Sequence, residues 1–138
     1  MNEDNSITCL EWAPGAEAVF LRGEFNNWDR ISHKFEKLDF GKWKLTIPPR
    51  HDGSCAIDHL SKIKLVILTK SGEMADRISP WATYVVQPPK ESGITTYDHV
   101  LWNPQNKYQF QFKKPDAPQN LKIYESHVGM LNNSKIYN

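Results

Sequence analysis

Trp28 is the residue whose setting first calls for a chemical explanation. It lies in residues 19–30, VFLRGEFNNWDR, among Asn26, Asn27 and Asp29, side chains that favour turns and tolerate unusual backbone angles. A large indole on a polar turn is costly to leave in water, so it needs either a core pocket or a ligand. Other chemistry is poorly supplied. Cys9 and Cys55 share no metal or redox spacing, and with no visible secretory signal they read as free, buried thiols of a reducing compartment. His33, His51, His59, His99 and His127 show no ligand spacing, so neither a metal site nor a cofactor is expected. The 16 Asp and Glu residues read as solvated surface charges.

Composition narrows the class. A length of 138 residues fits one domain, and 39% hydrophobic residues fit a soluble globular protein. The net charge is +1 with Lys and Arg scattered along the chain. Nucleic-acid binding, which calls for a basic stripe, is therefore not expected. No apolar run approaches the roughly 20 residues of a membrane span. Residues 1–6 are acidic and polar, without the pattern of a signal peptide, so the expected location is cytoplasmic.

The elements that must hold the turn read as short strands. Residues 7–12 form a first strand ended by Pro14-Gly15, and residues 18–22 a second. Phe35 and Leu38 return the chain towards the core. Asp39-Phe40-Gly41-Lys42 reads as a hairpin turn. After it Trp43, Leu45 and Ile47 alternate with Lys42, Lys44 and Thr46, the pattern of a half-buried strand with Trp43 in the core. Pro48-Pro49 ends it. The most apolar run, residues 62–69, reads as a central strand, with Lys64 as its anomaly; the stem of such a lysine can lie along the sheet while its ammonium reaches water. Ser71-Gly72 reads as a tight turn, residues 83–87 as a strand, and Tyr108, Phe110 and Phe112 as a final strand. Trp81 and Trp102, beside prolines, are expected to pack. The pattern predicts an all-β, immunoglobulin-like sandwich over residues 1–112. Residues 113–120 follow as a linker, and residues 121–130, LKIYESHVGM, as an orphan strand.

The GEFNNW sequence resembles the GxFNxW signature of family-48 carbohydrate-binding modules, the starch- and glycogen-binding sandwiches attached to glycoside hydrolase family 13 enzymes. Further stretches, CLEWAPGAE, GKWKLTIPP, RISPWATYVV and IYESHVG, resemble 1,4-α-glucan branching enzymes in the same order along nearly the whole chain. IYESHVG resembles the first strand of the (β/α)8 barrel of those enzymes. The resemblance implies an α-1,4-glucan partner (glycogen, starch or malto-oligosaccharides) and a role in glycogen biosynthesis. It also implies a truncated chain, with residues 121–138 as the start of a barrel whose remainder is a missing partner.

By that resemblance Trp28 contacts glucan, with Asn26 and Asn27 beside it. An α-glucan offers C–H patches framed by hydroxyls, which an indole face and neighbouring amides can match. Lys64 matches a strand lysine that contacts glucan in related modules. Trp12-Ala13-Pro14 and Asp39-Phe40-Gly41-Lys42 match contacts that lie where module meets barrel. Kinase-type glycogen-binding subunits have a second stacking tryptophan after the hairpin glycine; Glu73-Met74 stands there in this chain. Retaining glycosyl transfer needs two carboxyl groups roughly 5 Å apart. Glu125 alone cannot supply them, so the chain by itself is expected to be inactive. Two other readings remain open on the sequence: a stand-alone adaptor that targets a partner to glycogen, and an immunoglobulin-like interaction domain without sugar affinity.

Overall fold

The computed structural model describes residues 1–127. The chain divides into two units, residues 1–107 and residues 108–138. The first is a β-sandwich of eight strands: β1 (Ile7–Trp12), β2 (Ala16–Gly23), β3 (Glu36–Lys37), β4 (Lys42–Ile47), β5 (Lys62–Thr69), β6 (Met74–Arg77), β7 (Val85–Val86) and β8 (Asp98–Val100). One sheet has the order β1-β4-β3. The other runs β2-β5-β8-β7, with β6 also paired to β5. All pairings are antiparallel.

Alternation explains which faces meet. On β1, Ile7, Cys9 and Glu11 stand opposite Ile47, Leu45 and Trp43 of β4 and point inward, while Thr8, Leu10 and Trp12 point out. On the facing sheet Val19 and Leu21 of β2 and Ile63 and Leu65 of β5 close the core. Trp43 fills its centre, 1% exposed, and its indole Nε1 donates to the Ala13 carbonyl at 2.9 Å, so burial of its polar edge goes uncompensated nowhere. Phe35 and Ile57 complete the layer. The second face of β2 and β5 is apolar too: Ala18, Phe20 and Val66 form a smaller buried cluster behind the sheet.

Several expectations hold in detail. The strands at 7–12, 42–47 and 62–69 are present, and the turn at Ser71-Gly72 leads from β5 into β6, Gly72 having a φ of +85°. Others are corrected. The second strand is longer, and the one expected over residues 83–87 contracts to Val85–Val86. Cys9 and Cys55 are free but only half-buried. Tyr108, Phe110 and Phe112 are not a strand: no ladder holds them, and they are 76%, 85% and 84% exposed. Alternation makes a segment compatible with a pleated surface, but without a partner strand the backbone groups have no ladder to join.

In the second unit, residues 108–127 carry no helix or strand, and the rings of Tyr108 and Phe110 meet edge-on with centroids 5.1 Å apart. Of the strand expected over residues 121–130, residues 121–127 are irregular and exposed. Residues 128–130 lie outside the described part.

Candidate functional site

The turn that carries Trp28 is built around Asn26. The chain leaves β2 through a short 3₁₀ turn, Glu24–Asn26. Asn26 Oδ1 accepts the Gly23 N–H at 2.9 Å. Its Nδ2 lies 3.2 Å from the carbonyls of Leu21 and Asp29, 3.1 Å from Ser32 Oγ and 3.2 Å from His33 Nδ1. An amide has only two N–H donors, so its capacity is consumed inside the turn. The expectation that Asn26 offers its amide outward therefore gives way to a role in shaping the loop. Asp29 fixes the far side by accepting the N–H groups of Ile31 and Ser32 at 2.8 and 3.0 Å, and these bonds hold its carboxyl below the ordinary range. Gly23 is extended and needs no glycine for its angles. It needs one for space, since a side-chain carbon there would collide with the Lys62 carbonyl oxygen.

Asn27 and Trp28 are both left-handed, with φ of 51° and 61°. That conformation costs an L-residue roughly 1–2 kcal/mol. Here the Trp28 N–H is held by the Gly23 carbonyl at 2.8 Å. The indole emerges half-buried beside β2, where the Arg22 guanidinium carbon stands 5.2 Å from its ring centroid.

Arg22 is directly opposite Lys64 on β5. Two acidic residues keep these like charges apart. Asp76 on β6 lies 3.5 Å from Arg22 and 3.1 Å from Arg30. Asp98 on β8 lies 3.1 Å from Lys62 Nζ and 3.3 Å from Lys64 Nζ. Partial burial alone would raise the Asp98 carboxyl, but hydrogen bonds from the two lysines hold it below its usual value. Beside this row lies an open depression of about 510 Å³ lined by Lys64, Asp76, Arg77, Ile78, Thr96 and Tyr97. Lys64 is thus neither a free snorkelling cation nor buried in the core. It is a paired charge at the rim of a concave surface.

The remaining expected residues belong to the other sheet. Trp12 leaves β1 pointing outward, 63% exposed, and its indole Nε1 donates to the Phe40 carbonyl at 3.0 Å. The Ala13 N–H donates to the Gly41 carbonyl at 2.9 Å. Asp39–Gly41 is a tight 3₁₀ turn with Phe40 at φ 60° and Gly41 at φ 73°. A side-chain carbon at Gly41 would sit 2.6 Å from the Pro14 Cα, so the two loops touch backbone to backbone. Phe40 is lifted out by this turn and is 87% exposed. Trp12, Ala13, Pro14, Asp39, Phe40, Gly41 and Lys42 therefore form one surface, and Trp28, Asn26, Asn27 and Lys64 another, on different sheets.

Trp81 was missed. It is 69% exposed rather than packed, and with Leu10, Glu11, Trp12 and Lys42 it lines a depression of about 300 Å³. Its only sequence signal is Ser-Pro-Trp, a turn that cannot continue a strand. Trp102 is likewise half out, against His59 and Tyr84 at 4.9 and 4.8 Å. Beneath the Trp12–Trp81 depression, Glu11 is 9% exposed. Burial raises its carboxyl, partly offset by a hydrogen bond from Ser79. Next to it the Cys9 thiol is pushed up to about 11 by burial and then by the Glu11 charge. Among the described residues no group of His, Cys, Asp and Glu is arranged to hold a metal ion.

Residues 1–82 match the family model of carbohydrate-binding module 48 (isoamylase N-terminal domain). Over 127 residues the chain is 52% identical to the 1,4-alpha-glucan-branching enzyme of Equus caballus, covering 92% of this chain and 18% of that protein. It is 47% identical over 132 residues to the enzyme of the same name from Yarrowia lipolytica, covering 94% of this chain and 19% of that one. The chain thus spans about a fifth of the length of these relatives. Among solved structures, the catalytic module of the multi-modular glycogen-degrading pneumococcal virulence factor SpuA is similar at a TM-score of 0.55. The identity is 16%, over 75% of this chain and 15% of that one, a likeness of fold.

Proposed function

The chain belongs to the carbohydrate-binding module 48 family, and we propose that it is the α-1,4-glucan-binding module of a 1,4-α-glucan branching enzyme acting in glycogen biosynthesis. The observation that carries the reading is Trp28. It is a half-buried indole raised on two consecutive left-handed residues, with Arg22 beside it and Lys64 opposite Arg22 on the next strand. A strained turn that exposes part of a large ring is a poor way to fill a core and a good way to present a flat apolar face. The C–H face of a glucosyl unit lies against the indole. Lys64, Asn27 and the residues around the adjacent depression offer hydrogen bonds to its hydroxyls, and Asn26 supports the turn.

The second surface has a different task. Trp12, Phe40 and Trp81 are aromatic, exposed and close to Lys42, the composition of a protein-facing patch. We assign it to the junction with the catalytic barrel of the parent enzyme, where Trp12-Ala13-Pro14 and Asp39–Gly41 form one side of a glucan path. The chain's own contribution is recognition. The paired carboxylates of glycosyl transfer, roughly 5 Å apart, are expected on that barrel.

Co-sedimentation with glycogen tests the reading. The chain is expected to pellet with the polysaccharide, and Trp28→Ala to weaken binding by ~1–3 kcal/mol, the worth of one stacking platform in the analogous case of nucleobases. Unchanged binding by the variant would remove Trp28 from the site. A chain that never pellets would refute glucan binding altogether.

A further inference from the structure

The Trp28 indole is held by a charge relay that reaches across three strands. Arg22, on β2, stands over the ring. Asp76, on β6, contacts Arg22 with one carboxylate oxygen at 3.5 Å and Arg30 with the other at 3.1 Å. Arg30 also donates to the Met74 carbonyl at 3.3 Å, and it lies just two residues after Trp28. One carboxylate therefore ties the strand before the turn to the segment after it. Arg22 Nε is buried and makes no hydrogen bond to any described residue. The place of the guanidinium thus rests on Asp76 at one side and the indole at the other.

We propose that Arg22 and Asp76 are positioning residues for the Trp28 platform: Arg22 occupies one face of the indole, Asp76 holds Arg22 there, and the opposite face becomes the single surface on which an α-glucan stacks. The inference deepens the glucan reading above and rests on it. Planarity is the reason for arginine. A guanidinium lies flat on an aromatic face and keeps its edge donors for a carboxylate, which a lysine ammonium cannot do. A ring fixed this way is pre-organised, so binding does not have to freeze it. Without Asp76, Arg22 faces Lys64 directly across the ladder, and like charges in that register repel. Asp98, the carboxylate beside Lys64, is already engaged by Lys62 and Lys64. Arg22 is then pushed off the ring, and the indole regains its rotamers.

A double-mutant cycle on glycogen affinity, read by retardation in glycogen-containing native gels, tests this. Arg22→Met and Asp76→Asn are each expected to weaken retardation roughly two- to five-fold, the range of a partly exposed cation–π contact. Neither is expected to weaken it further when combined with Trp28→Ala. Arg22→Lys restores the charge but not the flat face, and falls between. A readout free of glucan accompanies the cycle: the Trp28 indole N–H resonance, identified by its loss in Trp28→Ala, shifts and broadens in Arg22→Met and Asp76→Asn. An equal loss of binding in the Trp28→Ala background would make Arg22 a direct glucan contact and overturn the positioning role. So would an indole resonance indifferent to both substitutions, or glycogen affinity unaltered by Arg22→Met. Absence of glycogen binding by the unaltered chain would instead overturn the glucan reading itself.

Discussion

Replacing Gly41 with alanine separates two kinds of strain at the Trp12–Phe40 surface. The first is conformational. Gly41 has a φ of +73°, and an L-residue held there loses roughly 1–2 kcal/mol. The second is contact. The new carbon would lie 2.6 Å from both Cα and Cβ of Pro14, far inside van der Waals distance. Pro14 cannot retreat cheaply, because its neighbour Ala13 is held at both its N–H and its carbonyl. Its N–H donates to the Gly41 carbonyl at 2.9 Å, and its carbonyl accepts the buried Trp43 indole at 2.9 Å. Overpacking of this sort costs about 1–3 kcal/mol. The two terms together give about 2–5 kcal/mol, and at about 4–8 °C per kcal/mol for a domain near this size the melting temperature falls by at least roughly 8 °C. Gly93 is the control. Its φ is +67° but nothing lies within 4 Å of its added carbon, so Gly93→Ala carries the conformational term alone. Thermal melts followed by circular dichroism compare the two. If Gly41→Ala and Gly93→Ala melt together, the close approach of the two loops plays no part in stability, and the reasoning fails.

Two predictions concern titratable groups. Burial raises the Glu11 carboxyl, so in the folded state it resists ionisation. Its cost is absent below the unfolded value and grows as pH rises past it towards the folded one. Glu11→Gln is therefore expected to stabilise the chain at pH 7 and to leave it nearly unchanged at pH 3; equal effects at both, measured by urea unfolding, would contradict this. The Cys9 thiol, raised from 9.0 to about 11, is about one-thousandth ionised at pH 8, against one-tenth for an unperturbed thiol. Alkylation of Cys9 by iodoacetamide, followed by peptide mass spectrometry, should run about a hundredfold slower than for the unfolded chain. Comparable rates would show the thiol to be open to water.

The strands that build the core were legible because their alternation is intact. Trp43, Leu45 and Ile47 announce an inward face, and Trp43 is the most deeply placed large side chain. β5 was legible from its apolar run, while the partner of its lysine was not. Asp98 sits in a three-residue strand, DHV, too short to show any period. β6, MADR, is mostly exposed and carries no apolar stripe. Its Asp76 matters through charge, which periodicity does not report. Tyr108, Phe110 and Phe112 show the opposite error, a clean alternation with no ladder behind it. At the candidate site, sequence singled out Trp28 and Lys64 but not the Arg22–Asp76 connection, which depends on residues more than fifty positions apart being brought to one face. Asn26 was noticed for its amide, and only its five neighbours reveal that the amide is used up within the turn.

The topology of β5 also sets a schedule for synthesis. β5 pairs with β2 along one edge and with both β6 and β8 along the other, so the larger sheet cannot begin until β5 has been made. β2 is apolar on both faces, with Val19 and Leu21 on one and Ala18 and Phe20 on the other. Its register partner for Arg22 is Lys64, roughly forty residues later. At about 5–20 residues per second of translation, β2 waits ~2–8 s for its first ladder. During that interval β2 is held along one edge by the short bridge to residues 33–35, where the Leu21 N–H donates to the His33 carbonyl and the Phe35 N–H to the Val19 carbonyl, each at 2.9 Å, while its other edge stays open to neighbouring chains.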